Sequence, residues 1–82
     1  MIVIITPKAQ KELQKIPNPI ANKLLRNSLL LEVEPFSGKK LTGKLKEFRS
    51  LRAWPYRIIY WIDTTKNTIF VISFAHRQGA YK

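Results

Sequence analysis

The hydrophobic period of this chain changes at Pro35, and that change limits the fold to a few arrangements. Across residues 7–34 apolar side chains recur at helical spacing, whereas beyond residue 46 they follow the pattern of strands. Residues 7–16 put Ala9, Leu13 and Ile16 on one helical face, with Lys8, Lys11 and Lys15 largely outside it. Thr6 followed by Pro7 supplies an N-cap and a proline at the first helical position, and Pro17 ends the helix. Asn18-Pro19 repeats that signature and opens a second helix that runs toward residue 34, turning Ile20, Leu24 and Leu31 inward. So short a connection predicts an αα-hairpin.

Strand signals flank the hairpin. Ile2-Val3-Ile4-Ile5 is a continuous β-branched run, which predicts a strand buried on both faces. Pro35 stops the second helix, and residues 36–46 read as a loop carrying Gly38, Gly43, Lys39, Lys40, Lys44 and Lys46. Residues 47–54, 56–63 and 68–75 are rich in aromatic and β-branched side chains. The breaks between them, Trp54-Pro55 and residues 64–67, are short enough to join antiparallel neighbours. The expectation is one α+β domain over residues 1–82, in the order β-α-α-β-β-β. Its helical hairpin packs on one face of a mainly antiparallel four-stranded sheet.

Helices on one face of a sheet leave the other to be solvated or to bind something. Alternation puts Arg57, Ile59 and Trp61 on one side of their strand and Tyr56, Ile58, Tyr60 and Ile62 on the core side. The net charge of +10, from 15 basic against 5 acidic residues, suits a nucleic acid or an acidic protein partner. A cation beside a ring suits phosphates and bases, although Trp61 would equally cap the sheet edge or lie beneath a partner's helix. The chain has no cysteine, so it has no disulfide, thiol nucleophile or cysteine-ligated zinc. One histidine and five scattered acids speak against a metal site, and no cofactor is implied. The apolar opening stops at Thr6-Pro7, too short for a signal-peptide core, and other apolar runs fall far below the roughly 18 residues that span a bilayer. A soluble cytoplasmic domain without a membrane partner is expected.

Several segments together resemble the RelE/ParE superfamily of toxins from toxin–antitoxin pairs, over nearly the whole chain. They are the opening Thr6-Pro7-Lys8-Ala9, the step Leu41-Thr42-Gly43, the stretch from Leu51-Arg52 to Tyr56-Arg57-Ile58-Ile59-Tyr60, and the tail with His76-Arg77 and Tyr81-Lys82. In that family the RelE branch cuts messenger RNA, typically in the ribosomal A site, and the ParE branch poisons DNA gyrase. Both are silenced by an antitoxin that wraps the toxin. The resemblance makes Arg57 the arginine beside the scissile phosphate, Arg77 a second one near the C-terminus, and Arg52 a basic strand position. Tyr81 is similar to the terminal tyrosine implicated in stacking or proton handling. The chain departs from the best-known RelE toxin at Phe48 and Ser50, where that toxin has catalytic lysines; Lys44, Lys46 and Arg49 stand close by in sequence.

RNA cleavage of the kind implied draws its nucleophile from the substrate, a ribose 2′-hydroxyl attacking its own 3′-phosphate. The protein must then orient the attack and stabilise charge growing on the phosphoryl oxygens. Arg57 and Arg77 are the candidates, since a guanidinium is a planar fork of permanently charged donors. His76 is the one side chain with an ordinary pKa near neutrality and is a candidate acid or base, though alternation turns it away from Arg77. Lys39, Lys40, Lys44, Lys46 and Arg49, with Trp61, form the candidate RNA-binding set, a solvated loop being the plainer reading for the lysines. The expected function is an mRNA endoribonuclease toxin that works with the ribosome and is held by an acidic antitoxin. The alternatives are a gyrase inhibitor or a non-catalytic domain that binds RNA or its antitoxin.

Overall fold

The computed structural model describes residues 1–76, so Arg77 and Tyr81 lie outside the described residues. The elements are β1 (Ile2–Ile5), α1 (Pro7–Gln14), α2 (Asn18–Leu30), β2 (Lys39–Lys40), a 3-10 turn (Gly43–Leu45), β3 (Arg49–Ala53), β4 (Tyr56–Asp63) and β5 (Thr68–His76). Thr6 caps α1 as expected, its hydroxyl accepting the Ala9 N–H at 3.4 Å. The same hydroxyl donates to the Val71 carbonyl at 2.8 Å, tying the start of the helix to β5. Asn18 does not cap α2; the cap position is Pro17, which makes no side-chain cap bond, and Pro19 sits within the first turn. α2 also stops at Leu30, short of residue 34. There the bonds tighten to the 3-10 pattern, Glu32 N–H to Leu29 and Val33 N–H to Leu30, and Pro35 disfavours helical backbone at Glu34.

Among the described residues the sheet has five strands, not four, in the order β1-β5-β4-β3-β2, and β1 runs parallel to β5 while the other pairs are antiparallel. The added strand is β2, which pairs Lys39 with Ser50 and Lys40 with Arg49. The α+β class and the covering of one sheet face by the helical hairpin are as expected. β1 is not buried on both faces: Ile2 is 62% exposed and Ile4 43%. Among the described residues β1 pairs with β5 at the sheet edge and the helices lie on one side, which leaves Ile2 and Ile4 exposed on the other.

The core joins Ile58 and Tyr60 of β4 with Ile69, Val71 and Phe74 of β5, against Ala9, Ile16, Ala21, Leu24 and Leu31. Ile59 pairs with Ser73 but Tyr60 with Val71, so Ile72 is the extra residue of a bulge. β1 has ended by this level, and the Glu12 carboxylate of α1 takes its place, accepting the Ser73 hydroxyl and the Phe74 N–H, each at 2.9 Å. A second tie fixes the approach to β2. The buried Tyr60 hydroxyl donates to the Pro35 carbonyl at 2.8 Å and accepts the Gly38 N–H at 2.9 Å. Burial pushes its pKa up, while the Gly38 hydrogen bond and nearby Arg49 pull the other way. A side chain at Gly38 would put its Cβ 2.5 Å from the Tyr60 hydroxyl, so only glycine fits. Among the described residues no helix is long and apolar enough to cross a membrane.

Candidate nucleic-acid interface

Strand register decides which cations meet. Arg52 stands directly opposite Arg57, and Arg57 opposite Ala75, so β3 and β4 bring two guanidinium side chains into one cross-strand row. The next row of the same face runs Lys39, Ser50, Ile59 and Ser73 from β2 to β5. The row after that is apolar: Trp61 pairs with Phe70, and Phe70 with Ile4. The Trp61 and Phe70 rings stack with centroids 5.7 Å apart and planes 19° apart. All three rows lie on the face turned away from Ile58 and Tyr60, which are fully buried against the helices.

Between the first two rows is a cavity of about 300 Å³ lined by Lys39, Lys40, Leu41, Thr42, Ser50 and Arg57. Of its lining Ser50 is only 5% exposed, while Lys39 is exposed and Arg57 half-buried. Three cations and two hydroxyl-bearing side chains around one depression can hold a phosphate group by charge and hydrogen bonds. Like charges placed opposite each other repel, so the Arg52–Arg57 pairing concentrates positive charge that attracts an anion.

The remaining residues singled out from the sequence are scattered. His76 lies opposite Tyr56, on the face away from Arg57, and meets the Tyr56 ring edge-on at 5.2 Å. Arg49 pairs with Tyr60 and donates to the Gly38 carbonyl at 2.8 Å, with its guanidinium 4.9 Å from the Phe36 ring centre. It braces the turn before β2. Lys40 shares the row of Arg49, and Lys44 and Lys46 are exposed on the turn that follows. Ser50 and Thr42 were not among the expected site residues; their place beside Lys39 follows from the β2–β3 pairing, for which Lys39-Lys40 carries no strand pattern.

A family profile described as the ParE toxin of type II toxin-antitoxin system, parDE, matches residues 3–81. This chain belongs to the RelE/ParE superfamily of type II toxins. The toxin is similar to the solved toxin–antitoxin complex RelBE2 of Mycobacterium tuberculosis, with 31% identity over 93% of this chain and 96% of that one and a TM-score of 0.86. The archaeal RelE–RelB complex of Pyrococcus horikoshii OT3 is 25% identical over 93% of each chain, with a TM-score of 0.75. The isolated RelE toxin of E. coli shares the fold at 20% identity, covering 98% of this chain and 87% of that one, with a TM-score of 0.78. Comparison with curated proteins gives no match.

Proposed function

We propose that this toxin is an mRNA endoribonuclease that binds its substrate across the open sheet face and stops translation. The observation that carries this reading is the convergence of Arg57 and Lys39 on the Ser50 cavity, with Arg52 paired opposite Arg57, on the face the helices leave uncovered. In the proposed reaction the ribose 2′-oxygen forms a bond to the adjacent phosphorus and the bond from phosphorus to the 5′-oxygen breaks. This leaves a 2′,3′-cyclic phosphate and a 5′-hydroxyl. Negative charge grows on the phosphoryl oxygens, and Arg57 with Lys39 would stabilise it as preorganised cations. Lys39 stands across the ladder from Ser50, so β2 would supply a cation where the chain lacks the lysine of the best-known RelE toxin. Positioning and cationic stabilisation would then dominate, with orientation completed by the ribosome and by Arg77 and Tyr81.

The partner in this reading is an acidic antitoxin, since the M. tuberculosis and P. horikoshii relatives were solved as toxin–antitoxin and RelE–RelB complexes. Exposed apolar side chains at Ile2, Ile4, Leu29, Leu30, Val33 and Phe36 would be covered by it. Gyrase inhibition is the second reading, favoured by the ParE family profile and by Phe48 and Ser50 in place of lysines. Incubating purified protein with ribosomes programmed by a defined message separates the two. Cleavage within the A-site codon, abolished in Arg57→Ala, supports the first reading; intact message with gyrase supercoiling blocked supports the second.

A further inference from the structure

A second concavity lies at the end of the sheet. β3 begins at Arg49, opposite Tyr60, so residues 61–63 have no strand beside them on that side among the described residues. The space left there is about 500 Å³, within the range of small-molecule pockets. Phe36 and Trp61 wall it, and Lys40, Lys46, Arg49 and Glu47 surround it. Arg49 already serves the Gly38 carbonyl and the Phe36 ring, whereas Lys40 and Lys46 are exposed and available to a ligand. Trp61 is held flat by its stack on Phe70, so one wall is in place before anything binds.

Two aromatic walls, two lysines and one carboxylate fit a nucleotide better than an acidic peptide. A peptide's carboxylates would meet Glu47 as like charges, whereas a base brings N–H donors and a ring that stacks. We propose that this cavity is a base-selecting subsite for the RNA strand held at Arg57, with Glu47 the specificity residue and guanine the preferred base. The inference rests on the RNA reading above. Guanine presents its N1–H and its exocyclic amine side by side, two parallel donors for the two oxygens of a carboxylate. Adenine offers an acceptor at N1, cytosine an acceptor at N3, and uracil an N–H flanked by two carbonyl oxygens, so each sets a lone pair against Glu47. Trp61 is four residues along β4 from Arg57, about 13 Å at strand rise, so the selected base belongs to a nucleotide near the gripped phosphate and not to that phosphate's own.

The test uses the full chain and short fluorescent RNAs made uncleavable by a 2′-deoxy sugar, differing only in guanine, inosine or adenine at one position. Fluorescence anisotropy should show the guanine strand binding about tenfold tighter than adenine, with inosine between, as a bidentate base-edge contact implies. Glu47→Gln should reduce that preference to less than about threefold without weakening the adenine strand, since Glu47 sits on an exposed turn. Equal affinity for all three strands, or a preference that survives Glu47→Gln, overturns the subsite even where Arg57→Ala still abolishes binding and so upholds the RNA reading. Failure of every strand to bind, with an acidic antitoxin bound in a Lys46-dependent way, overturns both.

Discussion

Replacing Arg52 by glutamine should stabilise this toxin while weakening its grip on RNA. Arg52 and Arg57 are directly opposed in the β3–β4 ladder, where side chains leave the backbone about 5 Å apart, so the two cationic side chains start as cross-strand neighbours. Arg52 is exposed and Arg57 half-buried, which lets solvent screen part of the repulsion. Relief of about 0.5 kcal/mol is therefore expected. For a domain of this size that raises the melting temperature by roughly 2–4 °C. The gain should shrink in 1 M salt, where the Debye length falls to about 3 Å, and Arg52→Lys, which keeps the charge, should melt like the parent. Thermal melts by circular dichroism at low and high salt, paired with RNA affinity, read both effects. A glutamine variant that melts lower, or gains equally at every salt concentration, would refute the reasoning by showing that Arg52 makes a net attractive contact in the fold.

Other expectations concern the brace behind the site. Tyr60→Phe removes a hydroxyl that both donates and accepts a hydrogen bond, leaving the Gly38 N–H unpartnered, and should cost about 1–3 kcal/mol in urea unfolding. In the parent the folded-state pKa of Tyr60 lies above its ordinary 10.0, so the stability it contributes is complete below about pH 10 and falls as pH rises through the folded value. That component of the alkaline decline should be absent from Tyr60→Phe, as unfolding between pH 9 and about 12 would show. Gly38→Ala forces a methyl carbon against the Tyr60 ring and should destabilise by about 1–3 kcal/mol; a neutral melt would mean that the turn yields easily.

Residues whose pattern reports local burial were readable from the sequence, and residues placed by pairing across the chain were not. The Thr6-Pro7 cap, the break at Pro17 and the alternation of residues 56–63 each express a local preference, and each has its counterpart in α1 and β4. Lys39-Lys40 became a strand only because Ser50 and Arg49 pair with it, and two exposed lysines give no period-two signal. The apolar run at residues 2–5 cannot distinguish an edge strand from a central one, because both favour β-branched side chains. Period two placed Arg57 and Trp61 on the open face, but their meeting with Arg52 and Phe70 is a matter of register. The same register places His76 on the opposite face. Arg49 reads as an RNA contact from its charge, and the bracing bond it makes to the Gly38 carbonyl has no signal in the sequence.

The most direct test of the central claim is to map the fate of messenger RNA and chromosomal DNA after brief induction of the toxin in cells without its antitoxin. Primer extension should reveal new 5′ ends within translated codons of several messages within minutes. Those ends should be absent when Arg57→Ala is expressed at the same level, and the DNA should stay intact. Unbroken messages accompanied by double-strand DNA breaks would contradict the account and mark the sheet face as a surface for gyrase.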